Sequence, residues 1–425
     1  MSNFSDSSFF IFMKNRKLNQ WFWKWHFIAG IISLPFVLIL SITGAIYLFK
    51  PQVENEVIEN IQKITPQNEV EKLSYDEQWE IAQKNSKRKL NSVVISSREQ
   101  STEFISGRFG DKKSIFINPY SGDVSGTFEP KDTWMYKVRK LHGELLGGKI
   151  GTKIVELIAC WMIILIVSGL YIWFPYKKGI KGVFTIRYNE GKRILARDIH
   201  AVTGFWISIL LFLILAGGLP WTDVFGGNFK KVQEWTNTGY SKTWRGIGLA
   251  STVKEKRISL DEMIAIAKNE NLPGTITLGL PKSPKNTFSV SNKTFPLSNQ
   301  KMIHFDQYSG KLIKSHDWSD VGVLMRARMW LMAFHQGEFG GWNWYLVFIV
   351  AILLTIMSSA AIFSYLLRKP KGKLGIPKQP KNFKLSIGFI ILLIVLGIVF
   401  PLFGISTVLI FLAIIFGKPR KISTY

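Results

Sequence analysis

The sequence predicts a membrane α-helical bundle of four core spans plus a C-terminal hairpin, with two extracytoplasmic α+β domains related by internal duplication. Three observations predict it. Long apolar runs recur along the 425 residues, which are 47% hydrophobic. The excess of Lys and Arg, a formal charge of +25, is concentrated in short stretches between and beside those runs. Two sets of motifs return in the same order in each half of the chain.

The apolar and aromatic content, with 15 Trp and 31 Phe, excludes an intrinsically disordered chain. The single cysteine, Cys160, excludes a disulfide scaffold and a thiolate-held iron–sulfur or metal centre. A bilayer core requires about 20 mostly apolar residues for a helix to cross. Phe27–Phe49, Ile154–Phe174, Val202–Pro220 and Trp342–Leu367 meet that length. Leu385–Phe416 is apolar throughout but broken by Pro401 and Gly404, so it reads as a hairpin of two short spans, with one kinked span as the alternative. The first run is too long for a cleaved signal peptide and lacks an A-x-A site.

Lys and Arg in short loops set orientation. Lys14, Arg16, Lys17 and Lys24 precede the first span. Lys177, Lys178, Lys181, Arg187, Lys192, Arg193 and Arg197 lie between the second and third. Arg368, Lys369, Lys371, Lys373, Lys378, Lys381 and Lys384 follow the fourth, and Lys418, Arg420 and Lys421 close the chain. Only Asp6, Glu190 and Asp198 oppose them. This positive-inside pattern puts both termini in the cytoplasm and makes nucleic acid an unsuitable partner; the lipid bilayer is the expected one. The chain divides into a cytoplasmic N-terminus 1–26, a span 27–49, an outer domain 50–141, a span 142–174, a cytoplasmic loop 175–199, a span 200–220, an outer domain 221–334, a span 335–367, a cytoplasmic loop 368–384, the hairpin 385–417 and a tail 418–425.

The duplication is legible in the outer segments. Ser74-Tyr-Asp-Glu-Gln-Trp-Glu-Ile-Ala82 and Ser259-Leu-Asp-Glu-Met-Ile-Ala-Ile-Ala267 both read S-x-D-E-x-x-x-I-A. Ser with Glu three residues later is a capping box, so each opens a helix. Further on, Ile115-Phe-Ile-Asn-Pro-Tyr-Ser-Gly-Asp-Val124 and Met302-Ile-His-Phe-Asp-Gln-Tyr-Ser-Gly-Lys-Leu312 alternate into a Tyr-Ser-Gly turn and out again, a hairpin signal. The spans repeat as well: His26-Phe-Ile-Ala-Gly30 and His200-Ala-Val-Thr-Gly204 are both H-x-x-x-G, while His142 and His335 precede the second and fourth spans.

The S-x-D-E helix start followed by the N/D-x-Y-S-G-x-[VL] hairpin resembles the PepSY domain. Two such domains between spans that begin with histidines resemble the PepSY-associated transmembrane family over about residues 20–370. That family includes inner-membrane siderophore reductases and iron-regulated uptake proteins. The resemblance implies a haem protein of the bacterial cytoplasmic membrane, with two PepSY-like domains outside.

Each of the four core spans has one histidine at its start, and ionisable groups in or near spans are functional candidates. For a single position an interfacial side chain is an equal reading. Topology puts His26 and His200 at the cytoplasmic edge and His142 and His335 at the outer edge. Two spans running the same way can supply two axial ligands to one ring, so two bis-histidine haems, one per leaflet, is the economical reading. No C-x-x-C-H occurs, so the cofactor would be two haem b. Gly30 and Gly204, one turn after their histidines, would give a flat macrocycle room or simply aid helix packing. Arg139, Lys140, Arg326 and Arg328 precede the outer histidines and would either pair haem propionates or sit at headgroups. Glu144 and Glu338 are read as helix-start carboxylates in preference to metal ligands. Zinc or copper on the same histidines is disfavoured, since a closed site needs about four ligands in one place.

Stacked haems across a bilayer would pass electrons from quinol or a cytoplasmic reductase to an outer acceptor, by resemblance ferric iron in a siderophore. Gly246-Ile-Gly-Leu-Ala-Ser is the nearest glycine pattern to a nucleotide fingerprint and lacks its third glycine, so no nicotinamide site is expected. Trp244, Arg245 and Trp330 are the expected contacts for an anionic, partly aromatic chelate, although an interfacial aromatic belt is the stronger reading of these residues. His304 and His316 read as surface residues of the second sheet. Two other classes stand beside this one: a membrane-anchored PepSY-like binding or protease-regulating protein without redox activity, and a transporter, ranked last because the repeats run parallel and no carboxylate sits mid-membrane to couple ions.

Overall fold

A computed structural model describes residues 16–65, 70–96, 99–174, 184–381 and 383–416. Lys14, Lys177, Lys178, Lys181, Lys418, Arg420 and Lys421, all used for the orientation reading, lie outside the described residues. The elements in chain order are α1 (Arg16–Tyr47), α2 (Lys50–Gln62), α3 (Tyr75–Asn85), β1 (Leu90–Ile95), β2 (Thr102–Ser106), β3 (Lys113–Ile117), β4 (Val124–Phe128), α4 (Trp134–Glu144), α5 (Gly148–Trp173), α6 (Lys192–Gly218), α7 (Val224–Trp235), α8 (Leu260–Asn269), β5 (Thr275–Gly279), β6 (Phe288–Lys293), β7 (Met302–Phe305), β8 (Leu312–His316), α9 (Val323–His335), α10 (Gly341–Arg368), α11 (Ile387–Val399) and α12 (Pro401–Phe416), with short 3₁₀ turns between some of them. They fall into two compact units.

The first unit draws on residues 1–45, 140–229 and 334–425. Four of the described helices are long and apolar enough to cross a membrane: Arg16–Gln62, which runs through α1 and α2, then Gly148–Trp173, Lys192–Trp221 and Gly341–Arg368. The protein is therefore a multi-pass membrane protein. On α1, Ala29, Ser33, Val37 and Ser41 are buried at four-residue spacing, which marks one inward face. That face meets Ile158, Met162 and Leu165 of α5, Ile207 and Leu211 of α6, and Leu354 and Met357 of α10. Outward residues such as Ile32, Trp206 and Ile209 are exposed, as a lipid-facing surface requires and a water-facing one would not tolerate.

Residues 385–416 form two helices, broken at Phe400 ahead of Pro401. They pack on α5 through Phe403, which is fully buried beside Cys160 and Ile163. Trp161 Nε1 donates to Ser406 Oγ at 3.2 Å. A Cβ on Gly404 would stand 2.8 Å from the carbonyl oxygen of Gly397, so only glycine allows the two short helices this approach.

The second unit draws on residues 46–139 and 230–333. Two separate α+β domains were expected; instead the eight strands form one continuous sheet in the order β4-β3-β2-β1-β5-β6-β7-β8. The two halves join where β1 pairs antiparallel with β5, Val93 opposite Leu278 and Ile95 opposite Ile276. Joining removes two edges that would otherwise present unpaired backbone groups. Phe104, Ile115, Leu278, Val290 and Ile303 from the sheet pack with Ala82 of α3 and Met263, Ile264 and Ala267 of α8.

The repeated motifs have local physical reasons. Ser74 and Ser259 each cap their helix with a complete capping box to Glu77 and Glu262. The aspartates between them reach across to the other helix. Asp76 accepts from Leu260 N at 2.9 Å, and Asp261 accepts from Tyr75 N at 2.9 Å and Asp76 N at 3.2 Å. The four residues thus satisfy N-terminal amides of both helices, the groups a helix cannot pair internally. In the hairpins, Asn118 and Asp306 accept from Tyr120 N and Tyr308 N two residues on, and Gly122 and Gly310 take φ of +76° and +66°.

Candidate cofactor site

The structure places the four membrane histidines in two pairs within the first unit. The ring centres of His26 and His200 lie 6.5 Å apart, and those of His142 and His335 lie 6.2 Å apart. His26 sits on α1 and His200 on α6. His142 and His335 do not open the following spans: His142 lies in the last turn of α4 and His335 ends α9. Leu145 and Leu146, with φ of 46° and 58°, then turn the chain into α5.

Each ring is anchored through Nδ1 to a different span. His142 Nδ1 donates to Leu40 O of α1 at 3.0 Å, His200 Nδ1 to Met357 O of α10 at 3.2 Å, and His335 Nδ1 to Ile214 O of α6 at 2.8 Å. A carbonyl can only accept, so these three rings carry their proton on Nδ1. His26 Nδ1 lies 2.9 Å from Ser168 Oγ, whose own hydrogen goes to Leu165 O at 3.3 Å, which assigns the same tautomer. Nε2 of each ring then keeps its lone pair and has no hydrogen-bond partner among the described residues. This is the usual arrangement of a metal-ligating imidazole, in which the second nitrogen is held by a carbonyl or hydroxyl.

The spacing fits one iron between each pair. Two metal–imidazole bonds of ~2 Å plus the two ring radii put ring centres about 6 Å apart. Among the described residues no cluster of three or more His, Cys, Asp or Glu is able to hold a metal ion, so each pair supplies two imidazoles and no further side-chain ligand. Along α1, His26 and Leu40, whose carbonyl anchors His142, are separated by about 21 Å at 1.5 Å per residue, within the ~30 Å thickness of a hydrocarbon core.

A cavity of about 400 Å³ opens beside His26 and His200, lined mainly by apolar side chains such as Leu34, Val37, Leu165 and Phe205. That volume is in the range of a cofactor pocket. Two buried hydroxyls on its wall, Ser33 Oγ and Ser358 Oγ, have no hydrogen-bond partner among the described residues, so the cavity holds unsatisfied polar groups. Gly30 also lines it and has open space where a side chain would be. Gly204 lines it too, but its missing side chain makes room for Met357, whose Sδ would be 3.2 Å from a Cβ there.

Sequence reasoning missed the glycines that seat the rings. A Cβ on Gly169 would stand 3.1 Å from His26 Cε1, one on Gly44 3.1 Å from His142 Cε1, and one on Gly218 3.5 Å from His335 Cε1. The signal was present as small residues late in the spans: Ser41-Ile-Thr-Gly44, Ser168-Gly169 and Ala216-Gly-Gly218. Glu156 was missed as well. It is fully buried on α5, where it accepts from Val224 N and Phe225 N at 2.8 and 2.9 Å and so caps α7. Glu156 lies near the start of α5 rather than at mid-span, so it caps a helix and leaves the middle of the span without a carboxylate.

The remaining candidates lie elsewhere. Arg139, Arg326 and Arg328 belong to the second unit; Arg139 stacks over Tyr136 at 4.7 Å and Arg328 is buried. Glu144 does not start a helix. It ends α4 and pairs with Lys140 one turn back. Trp244 is buried, stacked on Tyr240 at 5.0 Å and lying 5.7 Å from His316, which withdraws it from a chelate-binding surface, whereas Arg245 and Trp330 are exposed. His304 and His316 are not surface residues. Both are buried, and His304 Nε2 donates to Trp244 O while Nδ1 accepts from Thr287 Oγ1, each at 3.2 Å. Burial pushes the His304 ring below its usual range, against the hydrogen bond to Trp244.

No curated protein matches the chain significantly. The model of the PepSY-associated TM region matches residues 23–368, which span both histidine pairs and the whole sheet, and the chain belongs to that family.

Proposed function

We propose that the chain is a di-haem b protein that carries electrons across the bacterial cytoplasmic membrane and reduces a ferric siderophore on the outer side. The observation that carries this reading is the pair of histidine couples, each with ring centres near 6 Å apart and with Nδ1 held by another span. Haem held by His26 with His200 and by His142 with His335 would supply one-electron transfer. The chain's own residues fix the rest. Leu40, Met357, Ile214 and Ser168 hold the Nδ1 protons, Gly44, Gly169 and Gly218 let the rings sit against the helices, and the apolar lining excludes water.

The positive-inside loops make His26 and His200 the cytoplasmic couple, so electrons enter there from quinol or a cytoplasmic reductase and leave by His142 and His335. One electron converts the chelated Fe(III) to Fe(II), which hard oxygen donors hold less tightly, and the metal is released. The mirrored strand order, with a capped helix in each half, supports the reading of the outer unit as a duplicated pair of PepSY-like domains.

The test is the spectrum of chain purified from haem-sufficient cells. Bis-histidine b-type bands that reoxidise when a ferric siderophore is added to the reduced protein are expected. A colourless protein, or reduced bands indifferent to the ferric chelate, would sink the proposal.

A further inference from the structure

We infer that Arg368 and Arg197 form the carboxylate-binding end of the cavity at His26 and His200, the end that takes the two propionates of the macrocycle. This rests on the haem reading and adds residues and polarity to it. The cavity wall is apolar except for the two histidines, the two deep serines, and these two arginines with Tyr365 and Ser364 near them. Arg368 is the last residue of α10 and Arg197 precedes His200 by one turn of α6, so both cations mark the same end. Ser33 and Ser358 are two and nearly three turns deeper on α1 and α10. An amphipathic disc with one charged edge and one apolar edge matches that polarity.

Arg368 is pre-positioned. Its guanidinium lies 4.6 Å from the Phe27 ring centre and 5.7 Å from that of Trp23, and Nη2 donates to Gly375 O at 3.2 Å. A guanidinium has five donors in a fixed fork, so most remain for a planar carboxylate. Arg197 spends Nε and Nη2 on Asp198 Oδ1, at 3.2 and 2.9 Å, leaving Nη1. Asp198 is also held by Arg187, at 2.7 and 2.8 Å. One carboxylate is thus shared by two arginines, and this end of the cavity keeps a positive excess that a dianionic tail would offset.

The phosphate of an anionic lipid has related chemistry, and the test separates the two. Full-length apo chain in detergent is titrated with haem and with haem dimethyl ester, comparing wild type with Arg368→Met, Arg197→Met and Arg368→Lys. Arg368→Met is expected to weaken one of the two haem-binding steps about ten-fold or more, with Arg368→Lys intermediate. The ester, which lacks the carboxylates, is expected to bind wild type and Arg368→Met alike. Equal weakening of acid and ester would make the arginine merely structural and overturn the inference. So would unchanged haem binding accompanied by loss of co-purifying phosphatidylglycerol, which would assign the site to lipid. A wild-type chain that takes up neither macrocycle overturns the haem reading itself, and is distinguishable from a loss confined to the variant.

Discussion

His26 on α1 and His200 on α6 face each other with ring centres 6.5 Å apart and planes inclined at 69°. Neither ring is free to turn, because Ser168 holds one and the carbonyl of Met357 the other. The His142 and His335 couple repeats the relation at 6.2 Å and 65°, anchored on Leu40 and Ile214. In each couple the anchor comes from the other span of the histidine's own half of the chain, α5 for His26 and α10 for His200, α1 for His142 and α6 for His335.

Among the described residues Ser168 is the one side-chain hydroxyl that anchors a ring without a carbonyl beside it, since Thr43 shares His142 Nδ1 with Leu40 O, so it is the anchor that mutation removes most cleanly. Ser168→Ala is expected to weaken haem retention at the His26 couple about ten-fold, the lower end for outer-shell partners of metal-bound histidines. It should also raise that couple's midpoint potential, because a less basic imidazole favours ferrous iron. Potentiometric titration checks both; an unchanged potential would remove Ser168 from the site.

The seating glycines give a paired test. Gly169→Val adds bulk against His26, and Gly44→Val adds it against His142. Each is expected to deplete one haem and spare the other, read as haem per chain together with the distinct redox steps. Loss of both haems from either variant would indicate general unfolding of the bundle instead.

The crossed aspartates set a stability prediction for the sheet unit. Asp76→Ala and Asp261→Ala each remove a cap from the other repeat's helix. Each is expected to cost about 1 kcal/mol, the usual value of an N-cap, measured as a shift in urea midpoint by far-ultraviolet circular dichroism.

His304 sets a pH dependence. Its ring is neutral in the folded sheet unit and its folded pKa lies below the unfolded value of about 6.5. The unfolded chain therefore binds more protons in that window, and stability rises with pH. The contribution is fully present above about pH 6.5 and is lost as the pH falls from there toward the lowered folded value. His304→Gln is expected to flatten that part of the profile in urea unfolding; an unchanged slope would assign the dependence to other groups.

Local patterns were legible in the sequence and long-range pairings were not. The capping boxes at Ser74 and Ser259 and the turns at Gly122 and Gly310 depend on a few adjacent residues, and the spans on windows of hydropathy. The β1–β5 pairing, which turns two expected domains into one sheet, joins residues far apart in the chain, and nothing local specifies it. His304 and His316 fit an exposed strand until the turn that carries Trp244 covers them. Glu156 looks like an isolated charge in a span because its partners are the first amides of α7, which follows only after the next span, α6. The histidines themselves were visible; the glycines and carbonyls that orient them acquire meaning only when the helices pack.

The pairing of axial ligands is tested most directly by haem stoichiometry in His26→Ala, His200→Ala and the double variant, purified at full length. Each single substitution is expected to reduce two haems per chain to one, and the double variant to retain that same one, with His142→Ala and His335→Ala behaving likewise for the other haem. A double His26→Ala, His200→Ala variant that loses both haems while the singles lose one each would contradict the account.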